Sequence, residues 1–338
     1  MGFALINLLL NRLGAFFGRP FPKAFFLCVF LSLCSPAAAL TCTPSPPSGA
    51  FGTIDVLPGI AINAASSFTV ACTAGTAGQI IRLCIGISVG VNYAGSTTQR
   101  SLAGTSNGLT FDLFTDSARS TVWGSPGMTG VTAYPGTIVT YDLTLLTGGA
   151  ATTPALNVYG QIYGAQQTAI PGSYTWTSQT PAVSYGVKTA TACPTGATLT
   201  AASGTDTWTA TIAAKCNLSA TDINFGSVGL LTANVDATGT LNVQCTNTTP
   251  YTVSINGGLS AATDPTLRKM TLSTNSVTYG IYSDSTRTTA WGSLAGATIA
   301  GTGTGLTQSL TMYGRVPPQS PTPPPGNYSD TLIATITY

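Results

Sequence analysis

The chain has 338 residues, only 7% of them charged, and its 12 Lys and Arg almost balance its 10 acidic residues. With no His and no Glu, acid–base catalysis would have to rest on Asp, Lys, Tyr or Cys, which argues against an enzyme. The near-neutral charge offers no surface that attracts nucleic acid or anionic lipid. We predict neither an enzyme nor a nucleic-acid-binding protein, and no cofactor.

The first 39 residues have the pattern of an export signal. Three basic residues precede an apolar run from 24 to 33, and small residues follow at 37–39. The run is too short to span a bilayer comfortably. We predict cleavage after Ala39, which leaves nine basic against ten acidic residues and a net charge near −1.

The rest of the chain consists of two copies of one module, because its landmarks recur in the same order and at similar spacings. The matched landmarks are Cys42, Phe51 and Cys72 with Cys216, Phe225 and Cys245, then Phe111–Trp123, Tyr159 and Tyr174 with Tyr279–Trp291, Tyr313 and Tyr328. Thr, Ser, Gly and Ala dominate, turn residues are frequent, and no long helical period occurs. The sequence therefore predicts an all-β fold in which each copy is one β-sandwich.

Export implies an oxidising compartment, so the mature cysteines are expected to form disulfide bonds. Their spacing shows no metal-ligand clustering. Cys42–Cys72 and Cys216–Cys245 occupy matching places in the two copies, and we predict both as structural bonds. Cys84 and Cys193 have no counterpart in the repeat. They either pair with each other, which would pin a segment that crosses the first domain, or they pair differently.

The segment between the copies sets the domain boundaries. The pattern of Thr207–Lys215 indicates a strand that leads into Cys216, whereas only Leu40 and Thr41 precede Cys42 after cleavage. We predict a signal peptide at 1–39, a first domain at 40–190, a linker or complementing strand at 191–206 and a second domain at 207–338. Because the first copy continues through 187–212, a strand that covers its open edge can come from the same polypeptide.

The first copy also carries extra loop length. It is 14 residues longer than the second within Gly127–Ala155, and five longer near Tyr93. Some of the apolar residues in these segments are expected to extend the core, and those at hairpin tips to stay exposed and bind a surface. The candidates for this surface-binding role are Tyr93, Val131, Tyr134, Leu145 and Leu146.

The final stretch alternates Leu332, Ala334, Ile336 and Tyr338 with mostly polar neighbours, as in a strand with one buried face. No charge and no proline follow Thr331. A sandwich that ends on such a strand leaves an unprotected edge unless another strand lies beside it. We predict that these four residues form an edge that accepts a strand from another protein.

The landmarks resemble those of the spore coat protein U domain family, which includes subunits of archaic, Csu-type chaperone–usher pili. The resemblance is most specific in the second copy, in Asn224–Gly226, Tyr279–Gly292, Leu310–Pro317 and Pro325–Thr331. It covers nearly the whole mature chain. The first copy departs in its loop lengths, in Cys84 and in lacking a leading extension.

The resemblance implies immunoglobulin-like sandwiches, of which the C-terminal one lacks its last strand. A periplasmic chaperone would lend that strand, and the next pilus subunit would replace it after passage through an outer-membrane usher. A subunit that accepts a strand but donates none can occupy only the fibre tip. The two-domain layout then implies a tip adhesin, exported to the cell surface, that attaches cells to an abiotic or host surface during biofilm formation.

Two other functions fit the same sequence. A carbohydrate-binding adhesin could stack sugars on Tyr93, Tyr134 or Trp176, and would need hydrogen-bonding groups in a concave site beside them. A non-fibrous secreted coat or matrix protein would not depend on a chaperone or usher.

Overall fold

The computed structural model describes residues 39–90, 99–104, 108–128, 132–178, 181–189, 192–193, 198–200 and 205–338. Residues 1–38 of the predicted signal peptide lie outside this part. Every regular element within it is a β-strand, and no helix there is long and apolar enough to cross a membrane. The predicted all-β fold of two tandem sandwiches is confirmed.

The first sandwich contains fourteen of the described strands. They are β1 Thr41–Pro44, β2 Gly49–Ile54, β3 Ile62–Phe68, β4 Val70–Thr73, β5 Ile80–Gly86, β6 Arg100–Leu102, β7 Leu109–Phe114, β8 Val139–Thr144, β9 Ala151–Thr152, β10 Leu156–Ile162, β11 Gly172–Ser178, β12 Ala182–Val187, β13 Thr198–Thr200 and β14 Asp206–Ile212. One face is formed by the sheets β3-β10-β7-β6 and β1-β4-β9, the other by β13-β12-β5-β8 and β11-β14-β2. Apolar side chains from both faces meet in one core that contains Trp123, Trp176 and Trp208.

The second sandwich repeats this plan with fewer strands. They are β15 Cys216–Ala220, β16 Val235–Cys245, β17 Pro250–Ile255, β18 Arg268–Leu272, β19 Asn275–Tyr282, β20 Ile299–Thr302, β21 Gln308–Val316 and β22 Ala334–Thr337. A five-stranded sheet, β15-β16-β21-β19-β18, faces a three-stranded sheet, β20-β17-β22. The long β16 corresponds to β3 and β4 together, which are interrupted at Thr69 in the first sandwich.

The structure differs from the prediction in where the second domain begins. The strand β14 was predicted from sequence to open the second domain at 207, but it pairs antiparallel with β11 and parallel with β2 in the first sandwich. The side chains of Trp208, Ala210 and Ile212 lie in the first core. The segment is thus a complementing strand of the first domain, and the second domain begins next to Lys215–Cys216.

The two sandwiches touch end to end. The Lys215 ammonium pairs with the Asp55 carboxylate, and the Asn247 amide donates a hydrogen bond to the Thr168 carbonyl oxygen at 2.7 Å. These contacts place the Cys216–Cys245 end of the second sandwich against the first. The matching Cys42–Cys72 end of the first sandwich lies at the far end of the molecule, because β3 and β4 run away from the contact.

A filled strand groove and an open one

In the first sandwich, β14 fills a groove between two strands of the same chain. Trp208 faces Trp176 across the antiparallel pair with β11, and Ile212 faces Ile54 across the parallel pair with β2. The alternation of Thr with Trp, Ala and Ile explains this placement, because the threonines point outward and the other residues are buried. The groove is therefore closed from within the polypeptide.

The matching groove of the second sandwich is open. Its walls are residues 220–231 and 322–334, and its apolar floor is formed by Leu241, Ile255, Val277, Ile281 and Met312. The cavity volume is about 1260 Å³. No described strand lies between the two walls, in contrast to β14 in the first sandwich.

Matched residues show what the missing strand leaves uncovered. Gly52 and Gly226 have the same left-handed backbone, with φ of 72° and 74°, so the two walls can be aligned residue by residue. In the first sandwich Ile54 and Val56 are 6% and 4% exposed, whereas their counterparts Val228 and Leu230 are 53% and 77% exposed. The second wall thus exposes apolar side chains whose counterparts are buried in the first sandwich.

The opposite wall contains the final stretch of the chain. β22 pairs with β17 on one side only and forms the edge of its sheet. Leu332, Ala334 and Ile336 are half-buried against the second core, whereas Ile333 points outward. Tyr338 follows the end of β22 and is exposed, so it does not continue the buried face as predicted. The alternation of the other three residues agrees with the sequence analysis, and their role as a strand-accepting edge stays a prediction.

Sequence reasoning missed the wall at 220–231. The alignment of Ile54 and Val56 with Val228 and Leu230 could have revealed it, because apolar residues matching core positions are expected to be buried. A strand that covers one copy and not the other cannot be read from either copy alone.

Each sandwich holds a buried arginine next to its groove. Arg100 donates to the carbonyl oxygens of Ile87, Ser88 and Trp123, and Arg268 makes the matching bonds to Ile255, Asn256 and Trp291. Burial lowers the pKa of both guanidinium groups, while nearby negative charge opposes that shift. These bonds fix the loops beside each groove.

The partners of the two arginines differ. In the first sandwich Arg100 pairs with Asp112, whose carboxylate also accepts a hydrogen bond from the Tyr134 hydroxyl at 2.7 Å. Gly280 replaces Asp112 in the second, where the Tyr279 hydroxyl instead donates to Asp330 at 2.6 Å. Burial raises the pKa of Tyr279, and the hydrogen bond to Asp330 adds to that shift. Asp330 lies on the groove wall and is held in place by this bond.

Asp206 is a buried acid that the sequence analysis did not identify. Its side chain is 0% exposed at the start of β14, opposite Ser178. Neither carboxylate oxygen makes a hydrogen bond of normal length within the described part of the chain. Burial raises the pKa of Asp206 to about 8, and the charge of Arg100 opposes the shift.

Two of the predicted surface-binding residues are misplaced. Tyr134 and Leu145 are buried, so neither can touch an external surface. The Arg100 guanidinium lies over the Tyr134 ring, with its Cζ atom 4.0 Å from the ring centre. Trp176 is buried as well, which excludes it and Tyr134 as sugar-stacking platforms. Tyr93 and Val131 lie outside the described residues.

Leu146 is the candidate that the structure leaves exposed, at 66%. Its turn packs against the turn after Cys72, because the Gly78 amide donates to the Leu145 carbonyl and the Gly75 amide to Gly149. Leu146 therefore lies at the far end of the first sandwich. Ile80 and Val187 are also exposed at this end, and sequence reasoning had not singled them out.

All three disulfide bonds are present: Cys42–Cys72, Cys84–Cys193 and Cys216–Cys245. The first and third join strands at matching places. Cys84–Cys193 fixes the connection between β12 and β14 to β5, which resolves the alternative left open by the sequence. Among the described residues, no group of three or more Cys or Asp side chains could hold a metal ion.

Comparisons with known proteins agree with this fold. The model of the Spore Coat Protein U domain matches residues 29–180 and 197–335. Protein U of Myxococcus xanthus is 37% identical over 128 residues, which cover 34% of this chain and 71% of that protein.

Two solved structures were found as similar. The chaperone–tip adhesion subunit pre-assembly complex of archaic Csu pili from Acinetobacter baumannii has a TM-score of 0.49 and 16% identity, over 88% of this chain and 100% of that chain. The CupB6 tip adhesin of Pseudomonas aeruginosa has a TM-score of 0.37 and 12% identity, over 88% and 95%. The family match alone spans both sandwiches, and the chain belongs to the Spore Coat Protein U domain family, with two copies of the domain in tandem.

Proposed function

We propose that this protein is the adhesive subunit at the tip of a chaperone–usher pilus, joined to the fibre by a strand that a partner inserts into the open groove of the second domain. One observation carries the proposal. The first domain contains the same groove filled by β14, which supports a β-strand as the occupant of the second groove. Strand addition of this kind combines main-chain hydrogen bonds with alternate side chains in pockets.

The energetic need for a partner is large. β14 buries four side chains in the first domain, at 206, 208, 210 and 212. Burying four apolar side chains of a donor strand would contribute roughly 6–10 kcal/mol before ordering costs. Because whole domains are stable by only about 5–15 kcal/mol, the second domain without such a strand is expected to be poorly folded.

The pairing of the candidate donor segments supports the proposed tip position. With cleavage after Ala39, β1 opens the mature chain, and β1 is already paired with β4 and joined to it by Cys42–Cys72. The segment before Cys216, β14, is used inside the first domain. Both segments are thus engaged within the first domain, which supports a subunit that accepts a strand without donating one.

The partners follow from this position. A periplasmic pilus chaperone would fill the groove first, an outer-membrane usher would pass the protein outward, and the next subunit would supply the final strand. The first domain would then point away from the fibre with Leu146, Ile80 and Val187 at its end. Three exposed apolar residues at that end favour adhesion to an abiotic or host surface, and a role in biofilm formation, over catalysis.

The strand-acceptor function can be tested with two adjacent substitutions in β22. Ala334→Asp puts a charge on the face that packs against the core, whereas Thr335→Asp, the control, puts it on the outer face. We expect Ala334→Asp alone to abolish capture of the full chain by a co-expressed periplasmic pilus chaperone. A full-length monomer whose second domain is folded and stable with no partner would refute the function.

The adhesive function is tested separately on cells that carry the assembled fibre. We expect Leu146→Ser to reduce attachment to plastic. Leu294 is a similarly exposed leucine of the second domain, and we expect Leu294→Ser to leave attachment unchanged. Inhibition by soluble glycans without an effect of Leu146→Ser would favour a carbohydrate-binding adhesin instead.

A further inference from the structure

The chain contains both a strand that fills a groove and a second groove of the same plan that is open. Another copy of the chain, or the same copy during folding, could insert β14 into the wrong groove, as in domain swapping. The two grooves differ at the positions that contact β14 most closely. These differences concern the residues opposite Trp208 and Asp206.

Two glycines, Gly49 and Gly160, leave the space that the Trp208 side chain occupies in the first groove. A Cβ atom on Gly49 would lie 2.5 Å from the indole ring, and one on Gly160 would also lie 2.5 Å from it. Real side chains do not approach so closely, so any larger residue at either position would displace the ring. The edge of Phe51 packs beside the indole, with ring centres 5.6 Å apart.

In the second groove the side chain of Ile223 occupies the corresponding space. Ile223 stands at the position of Gly49, since both lie two residues before the matched pair Phe51 and Phe225. Gly314 is the counterpart of Gly160. A Cβ atom placed on Gly314 would lie 2.8 Å from Cζ of Phe225 and 3.0 Å from Cγ2 of Ile223. Ile223 thus fills the space that the indole fills in the first sandwich.

In the first groove Trp208 pairs with Trp176 of β11, and the residue at the place of Trp176 in the second sandwich also differs. Tyr174 and Tyr328 donate to the carbonyl oxygen four residues earlier, at 2.7 and 2.8 Å, which aligns the two walls. By this alignment Asp330 stands at the position of Trp176. Its carboxylate is already engaged by the Tyr279 hydroxyl and by the Leu259 amide at 2.8 Å, and it offers no aromatic surface to an indole.

The position of Asp206 supplies a second difference. In the first groove Asp206 faces Ser178, whereas the aligned residue of the second wall is Leu332, which is half-buried against the second core. The Asp206 carboxylate makes no hydrogen bond of normal length in the first groove either. The difference is that an apolar side chain lies beside this position in the second groove, so an apolar strand residue fits there better than a carboxyl group.

On the basis of the proposed function, we propose that the open groove rejects the chain's own strand β14 and selects a partner strand with a small residue opposite Asp330 and an apolar residue opposite Leu332. Ile223 and Leu332 are the specificity-determining residues. They keep the complementing strand of the first domain, in this copy or another, out of the fibre joint. Rejection by steric and polar mismatch gives specificity without tighter binding to the right partner.

The test attaches a strand to the full mature chain after Tyr338, through a Gly/Ser linker as long as the segment 188–205 that leads to β14. One version carries the natural sequence of 206–212, and the other carries Asp206→Val and Trp208→Ala in the attached copy only. The unfolding temperature of the second domain is followed by differential scanning calorimetry, because the tryptophans of the first core dominate the fluorescence of the full chain. We expect the altered copy to raise it by about 10 °C and the natural copy by less than about 3 °C.

A second pair of proteins carries Ile223→Gly and Leu332→Ser, the residues of the first groove. In these substituted proteins we expect the natural copy to raise the unfolding temperature at least as much as the altered copy does. Both copies are compared in the same substituted groove, so any destabilisation by the substitutions themselves affects both equally. Equal stabilisation by both copies in the unaltered groove would overturn the selectivity alone. If neither copy changes unfolding in any background, the strand-acceptor function fails, and the selectivity fails with it.

Discussion

Asp206→Asn is expected to make the first domain more stable at neutral pH and to remove a specific pH dependence. The folded domain holds the carboxyl group protonated up to a pKa of about 8, whereas the ordinary value is 3.8. Below pH 3.8 the folded and the unfolded states both bind the proton, so Asp206 does not lower the free energy of unfolding through ionisation. As the pH rises from 3.8 to 8, the unfolded state alone releases the proton, so the free energy of unfolding falls.

The size of this effect follows from the shift. Each pH unit between the two pKa values lowers the free energy of unfolding by about 1.4 kcal/mol, so the loss from pH 4 to pH 7 is about 4 kcal/mol. Asparagine keeps a similar shape and has no proton to lose. The stability difference between Asp206→Asn and the natural protein should therefore be small at pH 4 and grow by about 4 kcal/mol by pH 7, then level off above pH 8.

The measurement is urea unfolding of the full mature chain from pH 4 to pH 9, followed by tryptophan fluorescence, which three tryptophans of the first core dominate. Asp142→Asn is the control, because Arg82 and Lys188 hold the pKa of Asp142 well below its usual range. Its contribution is lost only as the pH falls below 3.8, so between pH 4 and pH 9 the stability difference between Asp142→Asn and the natural protein should stay constant. Parallel pH profiles for Asp206→Asn and the natural protein would refute the reasoning about burial.

Three further outcomes test how the first domain is built. A fragment of residues 39–214 should be soluble without a chaperone, whereas 39–195, which lacks β14, should aggregate; equal solubility would show that β14 is dispensable. Cys84→Ser with Cys193→Ser opens a loop of 109 residues and should cost about 4–5 kcal/mol in thermal unfolding; an unchanged unfolding temperature would contradict this. Trp208→Ala should cost about 3–5 kcal/mol in urea unfolding, because the space between Gly49, Gly160 and Phe51 cannot collapse; a loss below about 1 kcal/mol would show that it does.

The fold could be predicted from the sequence because its signals are local and repeated. Alternation along each strand, turn residues between strands and matched cysteines are all visible in the chain itself. The placement of β14 could not be predicted in this way. Its apolar alternation is the same whether it covers the first sandwich or opens the second, and only the long-range pairs with β11 and β2 decide between them.

The site was predicted on one side only, for a related reason. Leu332, Ala334 and Ile336 alternate visibly, whereas Val228 and Leu230 are separated by one glycine in a segment with no strand pattern. The exposed loops were predicted poorly because apolar residues in an insertion can extend the core or leave it. Leu145 and Leu146 are neighbours, yet the Leu145 side chain enters the first core and Leu146 points outward.

The contrast between the two domains explains how one repeat can serve two purposes. In the first, the connection 188–205 returns β14 to its own groove, and Cys84–Cys193 shortens that connection, so closure depends on no partner concentration. In the second, no described strand lies beside β22 on its open side, and under the proposed function closure depends on a second molecule. On that proposal the same groove is a permanent part of one domain and a binding site in the other, the difference is set by connectivity, and Ile223 and Leu332 would keep the two strands from exchanging places.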